Sequence, residues 1–514
     1  MKRFYVSLIV LGVFLSACNK EDDAPVVDET IEEEEVVQEG PANLLSDYPT
    51  QNFMWQAMNA YYFWQEDVPD LADSKFSDVP TSQDYIDFLA AEEDAEAFFY
   101  KICNNHERVV GEANAVDRFS FASDNYEDLV NSLQGVSRSN GLEFQLYLFQ
   151  GSDDIYGVVT YVALNSDAAT KEIERGDVFI AVDGQRLNRA NFFNLLFGEN
   201  STYTLGMAEI TNNTITENNQ EVTLTKVENF SENPILVSKV IEQSGVKIGY
   251  LMYNGFLAAF DEELNTVFAD FKSEGVQELV LDFRYNGGGR VSSAVQIASS
   301  VYGTNTTDLF LKARYNNKIQ SQFNPGDGET NFTDTTIDGS PINALNLQRV
   351  YIIATDRTAS ASELVINGLE PYVDVVQIGT ATTGKNEFSI TFVDDIQNGY
   401  FYDPNRQSNI NPNNQWGIQP LLGRNENADG FSDYTSGLIP DFELEEDISN
   451  LGVLGDPSEP LLALAINRIM GTGAKTDFTP SMTAKSIYAS YDIKRSTNLS
   501  LMDGLLRLDI QKRK

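Results

Sequence analysis

Histidine and cysteine are nearly missing from this chain: His106 is its one histidine, and Cys18 and Cys103 are its cysteines. That scarcity excludes a zinc site built on His and Cys ligands, and leaves a histidine-based catalytic triad only His106 to use. Positive charge is also scarce, with 35 Lys and Arg against 77 Asp and Glu and a formal net charge of −42. A nucleic-acid binder must neutralise phosphates with clustered cations, so that class of partner is excluded. What is present belongs to a folded protein: 42% hydrophobic and 11% aromatic residues over 514 positions. This composition departs from that of disordered acidic chains, and the length implies roughly two to four domains.

The first eighteen residues combine a basic start, Lys2-Arg3, with an apolar run from Phe4 to Leu15 and a small-residue ending. The run is too short to span a bilayer and reads as a secretory signal. Its ending, Leu15-Ser16-Ala17-Cys18, resembles a bacterial lipobox, which implies Cys18 as the lipidated first residue of the mature chain. The alternative is an ordinary signal peptide with a chance Cys. With Cys18 acylated, Cys103 has no intrachain disulfide partner. Residues 19–41 hold ten acids and one Lys, a solvated and self-repelling tether. Its start, Asn19-Lys20-Glu21-Asp22-Asp23, resembles the acidic export signal of surface lipoproteins. The expected location is therefore extracytoplasmic, lipid-anchored to the bacterial outer membrane and facing the cell surface.

Four further regions follow. Residues 42–137 carry aromatics and a methionine at helical spacing, Phe53, Trp55, Met58, Tyr61, Tyr62 and Trp64 among them, and predict a small helical domain without chemistry, with His106 in a surface loop. Residues 138–229 change to short strands with turn residues, including an Asp183-Gly184 hairpin signal. Residues 236–465 alternate strand and helix, which implies an α/β core with parallel connections. Residues 466–514 form a C-terminal extension ending in Gln511-Lys512-Arg513-Lys514. The expected fold class is thus α/β: an α/β core preceded by a β-rich domain and a small N-terminal helical domain.

The chemistry concentrates in the α/β region. Arg349 to Ala354 reads as a buried strand, followed by small residues and then Ser360-Ala361-Ser362-Glu363, an S-x-x-E capping pattern. Ser360 is therefore placed at a helix N-terminus, where unpaired N–H groups and the helix dipole stabilise an oxyanion. From this segment alone, Ser360 or Ser362 as a simple helix cap is the better reading. A helix of about 11 residues descends roughly 16 Å and the next strand climbs back a similar distance. Gly384-Lys385 thus returns to the carboxyl edge of the sheet, where Asn286-Gly287-Gly288-Gly289 also arrives after its own strand.

The core resembles the carboxyl-terminal processing (tail-specific) family of serine peptidases. Its S-A-S-E signature matches Ser360 to Glu363, and its Lys, 25 residues on, matches Lys385. Leu281 to Gly289 matches its glycine-rich strand end, and Gly437-Leu438-Ile439-Pro440-Asp441 its closing G-x-x-P-D motif. Residues 138–229 resemble a PDZ domain, with Gly141, Leu142, Glu143 and Phe144 in the place of the loop that binds a peptide's terminal carboxylate and Asp167 to Glu174 in the place of a helix.

The resemblance implies roles. Ser360 is the nucleophile, Lys385 the general base and then acid, and the backbone N–H groups of Ala361 and of Gly288 or Gly289 the oxyanion donors. An unperturbed Lys, with pKa about 10.4, needs roughly 4–5 kcal/mol of bias to be neutral near pH 7. Many members carry a Gln four residues after the Lys; here that position is Ser389, which is placed as a shorter hydrogen-bond partner of Lys385. The expected activity is serine endopeptidase cleavage of protein or peptide substrates with unstructured ends, with no cofactor and no metal. The alternative is a catalytically inactive peptide-binding surface lipoprotein.

Two other motifs carry no function. Gly379 to Lys385 fits G-x-x-x-x-G-K, but Asn386 replaces the Ser or Thr that holds magnesium, and a strand pattern follows in place of a helix. Ser244-Gly245-Val246-Lys247 and Ser123-Asp124-Asn125 mimic pieces of the serine β-lactamase set in reversed order.

Overall fold

The computed structural model describes residues 46–471 and the backbone of Tyr488–Ala489. The signal peptide with Cys18, the acidic tether and the rest of the C-terminal extension lie outside the described residues.

Aromatic spacing near the start does build helices. Pro at the first turn opens α1 (Pro49–Tyr61), and α2 (Gln83–Ala90) and α3 (Ala95–Lys101) follow. Phe53, Trp55, Met58, Tyr85, Leu89, Phe98 and Phe99 bury their side chains together, in the same cluster as Phe268, Ile297 and Leu364 of the α/β region. The helical region therefore shares one continuous core with the sheet described below. His106 departs from its expected place in a surface loop: only 3% of it is exposed. Its Nδ1 accepts from Arg108 N–H at 3.1 Å and its Nε2 lies 2.8 Å from Ser120 O. A side chain that caps a one-turn helix and ties it to Ser120 is a packing element, and burial pushes its pKa down.

Next comes an antiparallel sheet formed by β1 (Leu142–Leu148), β2 (Ile155–Val162), β3 (Val178–Val182), β4 (Thr202–Thr211) and β5 (Thr214–Thr225), paired in that order. Asp183 and Gly184, both with positive φ (50° and 72°), make the expected tight turn that pairs β3 with Gln185–Arg186. The helix expected over Asp167 to Glu174 is only a 3-10 turn, Ala168–Thr170. A true helix, α4 (Phe192–Phe197), comes later, and its Leu196 packs with Leu142, Phe144, Phe179 and Leu205. Ser166 and Thr170 spend their hydroxyls locally, as Ser166 Oγ accepts Ala169 N–H and Thr170 Oγ1 donates to Asp167 O, which favours a turn over a helix.

The α/β region is a six-stranded sheet. In chain order it comprises β6 (Ile235–Gln243), β7 (Val246–Tyr253), α5 (Asp261–Glu274), β8 (Glu278–Asp282), α6 (Val291–Tyr302), β9 (Arg349–Ala354), α7 (Ala361–Leu369), β10 (Asp374–Gly379), β11 (Phe442–Glu443) and α8 (Pro460–Ile469). The strands lie side by side as β6-β7-β8-β9-β10-β11; only the β6/β7 pair is antiparallel. Alternate residues face opposite layers. Leu251, Leu279, Leu281 and Ile352 meet α5, α6 and α7, whereas Tyr250, Met252, Val280 and Ile353 meet α8. With apolar side chains on both faces the strands are nearly continuous hydrophobic runs, as buried parallel strands must be.

Candidate active site

Three parallel strands end at the same edge. β8 runs out into Phe283 to Gly289, β9 into Thr355 to Ser360, and β10 into the segment that reaches Lys385. Polar side chains lock the first two turns together: Thr358 Oγ1 donates to Phe283 O at 2.8 Å, and Thr355 Oγ1 donates to Arg284 O. Asn286 completes the lock. Its carbonyl accepts from Ala359 N–H (3.1 Å) and Ser362 Oγ (3.0 Å), and its side chain donates to Tyr253 O (2.7 Å).

Ser360 sits at the N-terminal cap of α7 with φ 57° and ψ −113°. A non-glycine residue with that φ stores roughly 1–3 kcal/mol of backbone strain, which persists only where surrounding bonds over-determine it. The turn that carries the strain joins β9 to α7. Ser360 Oγ is buried and makes no hydrogen bond among the described residues. The N–H groups of Ala361 and Gly289 also lack an acceptor among the described residues. Gly288 N–H, in contrast, donates to Asn286 Oδ1 at 2.9 Å, so of the two glycines expected to donate, Gly289 is the one left open. Gly288 has φ 106°, and a Cβ there would stand 2.8 Å from Ser360 Cβ and 3.0 Å from Ala361 N. Only a residue without a side chain lets this backbone approach Ser360 so closely.

The carboxylate of Glu363 joins Ser360 to the segment that carries Lys385. Its Oε2 accepts Ser360 N–H at 2.7 Å and Lys385 N–H at 2.9 Å. Its Oε1 accepts Gly384 N–H at 2.6 Å and Thr382 Oγ1 at 2.5 Å. Two backbone nitrogens bonded to one oxygen are at most the sum of those two lengths apart, so the spacing of 25 residues closes into direct proximity. Burial pushes the Glu363 pKa up from its ordinary value, and the four donors pull it back down. The sequence identified Glu363 as a cap; its second half, the grip on residues 382–385, had no local signature.

Lys385 is buried, and its Nζ lies 5.5 Å from the centroid of Phe119. The helical region, expected to be without chemistry, thus reaches the site. Arg118, whose Cζ lies 4.6 Å from the Phe119 ring, donates to Gly384 O at 2.6 Å and to Thr435 O at 2.9 Å. Ser120 Oγ accepts Leu421 N–H at 3.0 Å. Arg118 is 266 positions from Gly384, beyond the reach of any local pattern. Ser389 lies in the short strand Glu387–Ser389 and is fully buried, but its hydroxyl makes no hydrogen bond, so the expected bond to Lys385 is not formed. No hydrogen bond joins Ser360 Oγ to Lys385 Nζ either; such contacts in unliganded sites are commonly long and tighten around substrate.

Gly141 immediately precedes β1, and Leu142, Glu143 and Phe144 open it, in the sheet that precedes the core. The first two amides are already used: Gly141 N–H donates to Ser139 Oγ and Leu142 N–H to Asn140 Oδ1, each at 3.0 Å. Glu143 is buried beside them. An acidic side chain and engaged amides make a poor receptor for a terminal carboxylate. This sheet meets the core through Arg175, which donates to Thr160 O (2.7 Å), to the Tyr285 hydroxyl (2.6 Å) and to Glu446 (2.6 Å). Arg284 continues the network to Asp282, Glu446 and Glu459 with no side-chain exposure.

Residues 247–421 match Peptidase family S41, and residues 50–121 match the Peptidase S41 N-terminal domain. A carboxyl-terminal-processing protease of Picosynechococcus sp. is 25% identical over 160 residues, which are 30% of this chain and 32% of that protein. The match thus spans about a third of that relative's length. A crystal structure described as a candidate S41 protease from Bacteroides fragilis NCTC 9343 is 25% identical, with a TM-score of 0.61, and the match covers 82% of this chain and 97% of that one. The segment bearing Ser360, Glu363 and Lys385, and the helical segment whose end supplies Arg118 and Phe119, are the two that match these S41 domain families.

Proposed function

We propose that this protein is a serine endopeptidase that docks extended stretches of unfolded chain on its β-rich unit, residues 138–229, and cuts them with Ser360 and Lys385. One observation carries the reading: a strained Ser at a helix N-terminus has its N–H on the same carboxylate oxygen as the N–H of a buried Lys. Ser360 Oγ attacks the scissile carbonyl as neutral Lys385 takes its proton, and Lys385 then protonates the leaving amine. Ala361 and Gly289 donate to the oxyanion, where the dipole of α7 adds to their effect. Water, deprotonated by Lys385, releases the acyl group by the reverse path. The β-rich unit is PDZ-like in this reading and receives chains by strand addition along β1.

Incubation of the purified mature protein with unfolded casein tests the assignment. Cleavage should vanish in Ser360→Ala and in Lys385→Ala; cleavage that persists in either removes that residue from the mechanism. The lack of a bond between Ser389 and Lys385 favours a second reading, an inactive peptide-binding surface lipoprotein, which the same assay supports if the parent protein binds peptide without cutting it. Lipidation at Cys18 would anchor the protein to the outer membrane, with the acidic tether holding the body off an anionic surface. Equal membrane partitioning of Cys18→Ala and the parent would exclude that anchor.

A further inference from the structure

One strand of the β-rich sheet comes from the far end of the chain. Tyr488–Ala489, here β12, pairs antiparallel with β1, with Tyr488 opposite Leu146 and Ala489 opposite Gln145. β1 pairs with β2 on its other side, so β12 covers the β1 edge of this sheet, the end opposite β5. It runs toward Gly141, which is the direction of peptide strand addition to such an edge. From this pairing we infer that the segment around Tyr488–Ala489 is an internal ligand that competes with substrate for the β1 edge and so holds the peptidase in check. The inference rests on the reading of residues 138–229 as the substrate-docking unit.

Three observations agree on this occupant. First, the amides of Gly141 and Leu142 are engaged and Glu143 is buried beside them, which disfavours a terminal carboxylate and suits a strand that continues past the loop. The chain continues for 25 residues after Ala489. Second, the 16 residues between Gly471 and Tyr488 span up to about 60 Å when extended, enough to reach this edge from the end of α8. Third, a cleft of about 120 Å³ opens beside the edge, lined by Arg138, Leu142, Phe197, Tyr203 and Lys226 among others, and offers a place for a side chain of the added strand. A segment tethered on this scale has an effective concentration near the millimolar range. With an intrinsic affinity on the order of 100 µM, it raises the apparent KM of a competing substrate about tenfold.

Two variants test this: a chain ending at Gly471, and full-length Ala489→Pro, which removes a backbone N–H without removing the tail. The readout is cleavage of a fluorogenic peptide by each. The expected result is a KM about tenfold lower with kcat unchanged, restored by adding a synthetic peptide of residues 482–495. An unchanged KM in Ala489→Pro and in the truncated chain overturns the inference, as does aggregation without a change in KM, which marks β12 as a mere edge cover. A binding assay on the Ser360→Ala background separates the layers, with free-acid and amidated forms of one unstructured peptide as probes. Both forms should bind the truncated chain alike and more tightly than the full chain. Equal binding to both chains defeats the inference alone, and no binding to either defeats the docking reading itself.

Discussion

At the scale of single residues, the site depends on a conformation that Ser360 adopts at a cost. Its positive φ suits glycine, so Ser360→Gly should be more stable than Ser360→Ala by about 1 kcal/mol, read from urea midpoints. Equal midpoints would show that the turn stores no strain. Glu363 makes the second prediction. It must be ionised to accept four donors at once, and burial raises its pKa. As pH falls through that raised value the carboxyl gains a proton and its hold on residues 382–385 weakens, so the acid limb of kcat should lie above the ordinary carboxylate range. Glu363→Gln should lower kcat by about 10–100-fold with little change in KM, since the loss is one of alignment, and should abolish that limb. A limb that stays in place in Glu363→Gln would assign it to another group.

At the scale of elements, the loop bearing Lys385 is held from outside the α/β sheet. Arg118→Ala removes two charged hydrogen bonds, to Gly384 O and Thr435 O, and should lower kcat about tenfold, with partial rescue in Arg118→Lys. A shift in the pH profile of kcat should accompany the loss; unchanged kcat and profile would reduce Arg118 to a packing residue. This element also marks where sequence reasoning stopped. β9, α7 and β10 were legible because buried parallel strands are apolar runs and helix starts carry caps, and Ser360 and Lys385 because their spacing spans one helix and one strand. Arg118 was not legible, since its partner is 266 positions away, nor was His106, whose burial follows from packing against Ser120 and not from its neighbours in sequence. The helix expected over Asp167 to Glu174 failed because local side-chain bonds to the backbone favoured a turn.

At the scale of the whole molecule, the β-rich unit and the α/β core are joined by buried charge. Arg175 and Arg284 face Asp282, Glu446 and Glu459, and removing one cation leaves carboxylates uncompensated in the interior. Arg284→Met should therefore cost about 3–5 kcal/mol in urea unfolding. The neighbouring arginines hold Glu446 at about 2, below the ordinary value of 4.5 for its carboxyl. A lowered pKa contributes stability that is complete above the unfolded value and is lost as pH falls through the folded one, so acid unfolding should steepen between about pH 4.5 and 2. Glu446→Gln should flatten that segment of the curve, and an unaltered slope would exclude Glu446 as its source. The central claim is that Ser360 and Lys385 act as one catalytic unit, and kcat/KM for one unfolded substrate in Ser360→Ala, Lys385→Ala and the double variant measures it directly. The account predicts that the double variant is no slower than either single one, because each loss alone disables the unit. Losses that multiply in the double variant, or a single variant that retains the parent rate, would contradict it.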